Sequence, residues 1–387
     1  MINQFTGGLE FRRLKKEEKK EDVDEGFSDI NADFCPVQST LSIDEKIKLV
    51  KEVGEEIIKE EELRGLFENN EMPICYDGFE PSGRMHIAQG LLRSINVNRL
   101  TKAGCIFVFW VADWFAQMNN KLGGDIEKIR KVGRYFVEIW RAAGMDLKNV
   151  KFLWCSDEIN KRSNDYWQSV INIARANNID RIKRCCQIMG RNDIMQASQI
   201  MYPCMQCTDI FFLKSDITQL GMDQRKVNVL SREYADEVGR KKKPVIVSHH
   251  MLKSLVKGVE KMSKSIPDSA IFMEDPPSEV ERKIKKAYCP EKDVDDNPIF
   301  DYIKFLIFPK FGFFELKRKQ EYGGDKTYKT YEEMCEDYKS GALNPADVKP
   351  NVARIINEMI EPVRQHFQKD PEARKILQFV VSYKVNR

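Results

Sequence analysis

The sequence predicts an α/β fold in which a parallel-sheet domain with a helical insertion is followed by a mainly helical domain. Three features carry that expectation. Short apolar runs at residues 74–76, 106–111, 150–154 and 245–247 alternate with stretches of helical spacing, as strands joined by crossover helices do in a sheet covered on both faces. Between the last two runs, residues 165–213 read as helical and are too long for a simple crossover, so they form an insertion. From residue 297 onward the pattern is helical, with breaks at Gly323-Gly324 and at residues 341–345.

Taken in order, residues 1–41 mix Arg12, Arg13, Lys15 and Lys16 with Glu17, Glu18, Glu21 and Asp22 and lack a sustained period. They read as a loosely ordered extension or peripheral helix with no chemistry of its own. Ser42-Ile43-Asp44-Glu45 has the form of a capping box. Ile47, Val50, Gly54, Ile57, Ile58 and Leu63 follow at helical spacing, which predicts one or two amphipathic helices across 42–70. The sheet domain then extends to residue 265. A proline-containing stretch at 266–277 and a charged helix to residue 288 open the C-terminal domain, 266–387.

The 387 residues suit two or three domains, and 42% hydrophobic against 32% charged residues suits a globular protein. The longest apolar run, 105–112, is far short of the roughly 20 residues that span a bilayer, which excludes a transmembrane helix and a membrane partner. Ten cysteines without framework spacing point to reduced thiols in a cytoplasmic setting. Net charge is only +3, yet residues 181–264 hold 16 Lys or Arg against 8 Asp or Glu, a local excess of +8 that includes the run Arg240 to Lys243. Such a face is either solvated or suited to phosphates.

Two constellations carry chemistry. The stretch from Tyr76 through Gly83, Arg84 and His86 to Gly90 follows the first predicted strand and ends at a helix start, where free backbone N–H groups favour a phosphate; the bland reading is an ordinary turn. Lys261-Met262-Ser263-Lys264-Ser265 follows the last strand, and its lysines can neutralise charge on transferring phosphates. Between them, Tyr202, Gln206 and Asp209 share one helix face, with Pro203 suited to the first turn. Polar groups there need either internal partners or a ligand. Cys204-x-x-Cys207 has no second CxxC, Cys185-Cys186 being the one other close pair, and His249-His250 lacks acidic companions at ligand spacing. These read as packing thiols and loop structure, and no protein-held metal is expected.

Together, HIAQ at 86–89 and KMSKS at 261–265 resemble the HIGH and KMSKS signature pair of class I aminoacyl-tRNA synthetases. The stretches YDGFEPSG at 76–83, YPCMQCTD at 202–209 and GMDQRK at 221–226 are similar to tyrosyl-tRNA synthetases of the archaeal and eukaryotic branch. The resemblance implies a Rossmann-like catalytic domain at 42–265 and an anticodon-binding domain at 266–387. It places the phenolic hydroxyl of L-tyrosine at Tyr76 and Asp209, and its amino and carboxylate groups at Tyr202, Gln206 and Gln224. ATP would lie against Gly83, His86, Asp223, Lys261, Ser263 and Lys264, with Mg2+ bound to its phosphates. His86, Lys261 and Lys264 would act on the transition state. Arg225 would lie near the first acceptor base pair of tRNA(Tyr), and Tyr322 and Asp347 at the anticodon. The insertion would help form a homodimer. Gln89 and Ala88 depart from HIGH, and Asn344 stands where some relatives have histidine. The related tryptophanyl enzymes share the signature pair, and a retired site that still binds tRNA is the alternative from another class.

Overall fold

The computed structural model describes residues 29–186, 195–259, 262, 266 and 268–383. A six-stranded sheet forms its centre, in the order β1 (Glu56–Ile58), β6 (Val245–His249), β5 (Ile217–Gly221), β2 (Ile74–Phe79), β3 (Ile106–Val111), β4 (Val150–Trp154). All neighbours run parallel except β1, which is antiparallel to β6. The chain builds outward from β2 through β3 to β4, then returns to the other side for β5 and β6. The order therefore reverses between β2 and β5, where Tyr76 pairs with Thr218, and the crevice beyond such a reversal is where sheets of this kind bind ligands.

The helices of this part are α1 (Ile43–Lys51), α2 (Glu62–Asn69), α3 (Arg93–Lys102), α4 (Asp113–Met118), α5 (Ile126–Ala142), α6 (Cys155–Lys161), α7 (Ser163–Ala176), α8 (Ile179–Lys183), α9 (Ala197–Phe212) and α10 (Arg225–Glu237). Strand alternation divides the core in two. Cys75, Phe79, Phe107, Phe109, Ile217 and Val247 point to one face and pack on α3 and α5, whereas Tyr76, Trp110 and Leu220 point to the other and pack on α7 and α9. On the first face Phe109 stacks on Trp140 at 4.5 Å and on Phe152 at 5.3 Å. Gly133 of α5 lets the helix approach Trp154, since a Cβ there would lie 2.6 Å from the indole.

The C-terminal part holds α11 (Pro277–Lys286), α12 (Pro298–Tyr302), α13 (Phe308–Phe311), α14 (Tyr331–Ser340), α15 (Pro345–Lys369) and α16 (Pro371–Ser382), with one hairpin of β7 (Phe314–Leu316) and β8 (Lys326–Tyr328). Its apolar residues are continuous with those beneath the sheet, from Val280 through Ile307 to Val380.

Four sequence expectations need correction. Residues 42–70 are not wholly helical, because Glu56–Ile58 forms the edge strand β1; its two isoleucines fit a helix period by coincidence while their β-branching suits a sheet. Strand β5 was absent from the expected set, since Thr218 and Gln219 interrupt its apolar character although both are fully buried. Residues 29–41 are not loosely held. Asn31 donates to the Phe152 carbonyl (2.9 Å) and accepts from its N–H (2.8 Å), and Asn149 exchanges a similar pair with Val37 (2.7 and 2.8 Å), so this segment covers the free edge of β4. Finally, Pro203 lies inside α9 rather than in its first turn.

Candidate active site

A cleft of about 370 Å³ opens at the carboxyl ends of β2 and β5. It gathers Tyr76, His86, Tyr202, Gln206, Asp209, Asp223 and Gln224, seven of the expected site residues from four separate stretches of chain. Gly83 precedes His86 in a backbone conformation, φ +119°, that favours glycine.

At the inner end, Tyr76 and Asp209 are each about 1% exposed, and burial together with the Asp209 charge pushes the Tyr76 hydroxyl well above its usual value. Asp209 Oδ1 accepts the Tyr166 hydroxyl at 2.7 Å, while Oδ2 is buried with no protein partner. Burial pushes the Asp209 carboxyl well above the usual range, against the Tyr166 hydrogen bond and the pull of the Trp110 indole, whose N–H lies nearby but is itself buried without a hydrogen-bond partner. An unfilled buried carboxylate oxygen is costly, so this end of the cleft calls for a hydrogen-bond donor from a ligand. Tyr166, on α7, is a positioning residue that sequence reasoning missed; only the helical insertion brings it here.

Along α9, Tyr202, Gln206 and Asp209 do share one face, as their spacing predicts. The Tyr202 hydroxyl donates to Glu80 Oε1 at 2.6 Å, where Asn119 also donates at 2.7 Å. Glu80 lies within the YDGFEPSG stretch, where no spacing rule marks it; it supplies a carboxylate to the cleft wall, with the Lys121 ammonium 3.9 Å from its Oε2. Gln206 Nε2 donates to Gln224 Oε1 at 3.0 Å, leaving Gln206 Oε1 unfilled and buried. Pro203 has no N–H for the Gln199 carbonyl one turn back, and the Cys186 thiol donates there instead, at 3.2 Å. Cys204 and Cys207 are buried core thiols. Among the described residues no group of three or more His, Cys, Asp or Glu could hold a metal ion.

The outer end is built on the opposite face of the sheet. His86, bridged to Phe272, precedes a short π-helical turn, Ala88–Leu92, whose Gly90 leaves room for Met273, since a Cβ there would lie 2.2 Å from its Sδ and force that side chain to shift. Backbone bonds from Ile87 to Ile271 and from Met273 to Met85, both 2.9 Å, tie this loop to the segment that follows KMSKS. Asp77 lies 3.0 Å from Arg93 Nε; burial pushes its carboxyl up to about 7, with the Arg93 charge opposing. Burial likewise lowers His249 to about 3, and its neutral ring accepts from Gln219. Met262 lines the cleft, whereas Lys261, Ser263 and Lys264 lie outside the described residues.

The remaining expected residues are not in the cleft. Arg225 pairs with Glu56 on β1, Nη2 to Oε1 at 2.9 Å. Tyr322 is 63% exposed on the C-terminal part. Asp347 closes the capping box of α15 by accepting from the Asn344 N–H at 3.2 Å.

The cleft thus lies at the strand reversal of an α/β sheet, with a histidine loop on one side and a buried, donor-seeking carboxylate on the other. The family model for class I tRNA synthetases (W and Y) matches residues 68–361, and the chain belongs to that family. It is 57% identical over 352 residues to tyrosine–tRNA ligase 1, cytoplasmic, of Arabidopsis thaliana, covering 90% of this chain and 91% of that one. The tyrosyl-tRNA synthetase of Leishmania major in complex with tyrosinol superposes with a TM-score of 0.83 at 50% identity, over 90% of this chain; this chain spans 54% of it. The Pyrococcus horikoshii enzyme complexed with L-tyrosine gives a TM-score of 0.80 at 36% identity, covering 87% of this chain and 100% of that one.

Proposed function

We infer that the chain is a tyrosine–tRNA ligase: it joins L-tyrosine to ATP as tyrosyl-adenylate and then transfers the tyrosyl group to the 3′ end of tRNA(Tyr). The observation that carries this reading is the inner end of the cleft, where Asp209 Oδ2 lacks a partner and Tyr76 lies beside it. A phenol both donates and accepts, so tyrosine can give its proton to Asp209 and take one from Tyr76. Phenylalanine would leave both desolvated and unpaired; this enzyme type is the standard illustration of that kind of discrimination. The tyrosinol and L-tyrosine complexes of the relatives support the same choice.

Tyr202, Gln206 and Gln224, with Glu80, offer acceptors for the substrate ammonium and donors for its carboxylate. The carboxylate oxygen attacks the ATP α-phosphorus, the bond to the bridging oxygen breaks, and pyrophosphate leaves with the electron pair. The terminal ribose hydroxyl of tRNA then attacks the acyl carbon and AMP departs. His86, Lys261 and Lys264 stabilise charge on the phosphates, Gly83, Asp223 and Ser263 contact the nucleotide, and Mg2+ arrives with it. Arg225 serves the acceptor stem, Tyr322 and Asp347 the anticodon, and two copies form a homodimer. A cytoplasmic location is in keeping with the name of the Arabidopsis relative. The domains are those drawn from sequence, 42–265 and 266–387, after the extension 1–41.

The test is amino-acid-dependent ATP/pyrophosphate exchange without tRNA, run with tyrosine, tryptophan and phenylalanine. Exchange with tyrosine alone is expected. Exchange with tryptophan instead would overturn the Tyr76 and Asp209 roles, and silence with all three would favour a non-catalytic tRNA-binding protein.

A further inference from the structure

His250 directly follows β6 and lines the cleft, yet it is held from two sides, by the sheet domain and by the helical region. Its Nε2 lies 2.8 Å from Asp301 Oδ1, on α12, and its Nδ1 lies 3.0 Å from Glu55 Oε2, just before β1. The ring stacks on Phe305 with centroids 3.9 Å apart and planes 13° from parallel. The second oxygen of Asp301 accepts the Lys253 N–H at 2.9 Å, and Lys253 Nζ pairs with Asp296 at 3.2 Å. Asp301 is only 7% exposed, so one buried carboxylate of the helical region fixes two points of the segment 250–253. That segment forms a cleft wall through Met251 and Leu252 and is separated from residues 261–265 by seven residues of sequence.

We propose that Asp301 is a positioning residue for the nucleotide side of the cleft: it holds His250 and the Lys253 backbone, and so makes ATP binding depend on how the helical region is seated. The inference rests on the reading of this cleft as a tyrosine-activating site. Both ring nitrogens of His250 face carboxylates, which favours the doubly protonated ring. Burial alone would lower its pKa, but the bonds and charges of Asp301 and Glu55 outweigh that and hold it above the usual value. The other charged or titratable groups around it are His249 and Lys253 on its own segment, and Lys304 beside Phe305. The ring is thus charged at low pH, and the clamp weakens as pH rises through the raised pKa.

The test is tyrosine-dependent ATP/pyrophosphate exchange on the full chain and on Asp301→Asn, with each substrate titrated in turn between pH 6 and 9. Asp301→Asn is expected to raise KM for ATP about tenfold, the scale of one charged hydrogen bond, and to leave KM for tyrosine within about twofold. In the full chain KM for ATP should climb with pH, and the variant should move that climb to lower pH. Asp301→Glu should recover part of the loss. An equal rise in both KM values, or no change in either, would overturn the proposal. If Asp301→Asn does not fold, Glu55→Gln removes a single, more exposed bond to His250 and should give the same downward shift of the pH profile; an unshifted profile would count equally against the clamp. A wild-type chain silent with tyrosine would refute the activity reading instead, and ATP titration calorimetry on wild type and Asp301→Asn would then still decide whether the clamp serves nucleotide binding.

Discussion

Tyr166→Phe isolates the part of the specificity end that the sequence did not disclose. The Tyr166 hydroxyl has two acceptors in reach, Asp209 Oδ1 at 2.7 Å and the Met205 carbonyl at 3.3 Å, and its one proton goes to the nearer and more negative oxygen. Removing the hydroxyl leaves ring packing intact and deletes a hydrogen bond to a buried carboxylate, worth about 1.5–3 kcal/mol. If the charged form of Asp209 is what receives the substrate phenol, kcat/KM for tyrosine should fall by about 10- to 100-fold while KM for ATP holds. The lost donor was pulling the carboxyl pKa down, so the variant holds its proton to higher pH and the deficit should shrink as pH rises. Pyrophosphate exchange with tyrosine varied, from pH 6 to 9, reads both effects. A tyrosine kcat/KM within about twofold of wild type would refute the assignment, and a deficit independent of pH would show that the Tyr166 hydroxyl does not act through the ionisation of Asp209.

Three further outcomes bear on the frame of the site. The Asp77 carboxyl is raised from 3.8 to about 7 in the folded protein, so the native state keeps a proton that the unfolded chain releases; stability should fall between those two values and level off above them, by at most about 4 kcal/mol. Asp77→Asn should flatten that slope in urea titrations at pH 4.5, 6 and 7.5, and an unchanged slope would remove Asp77 as its source. Asn31→Ala deletes two bonds to the Phe152 backbone on the β4 edge and should cost about 1–2 kcal/mol in urea unfolding; no loss would mean that water replaces the side chain freely. Gly133→Ala puts a methyl 2.6 Å from Trp154 and should destabilise by about 1–3 kcal/mol, with Trp154→Phe in the same chain relieving part of it; an additive double variant would refute the steric cause.

The sheet was legible wherever its strands are apolar and hidden wherever they serve the cleft. Residues 106–111 announce β3 because five of its six side chains are buried, and residues 150–154 announce β4 because only Lys151 interrupts its apolar run. Strand β5 does not, since Thr218 and Gln219 stand where an apolar run would be, buried but polar. The same substitution recurs at the carboxyl ends of its neighbours. By strand alternation Asp77 shares a face with Cys75 and Phe79, Gln219 with Ile217, and His249 with Val247. Three adjacent strands thus exchange an apolar residue for a polar one on one face, at the end where the strand order reverses. Asp77 and His249 line the cleft and Gln219 orients the histidine. No single strand shows this, because each polar residue alone looks like a lapse in an otherwise hydrophobic run; it takes the parallel register to bring the three together. Residues such as Tyr76, Gln206 and Asp209 were legible because short, ordered motifs carry them, whereas Tyr166, Glu80, Arg93 and Asp301 act through partners up to 122 positions away in sequence, a distance only the fold closes. Local rules therefore fail here at the positions where the chain trades stability for a site, which is where such failures are informative.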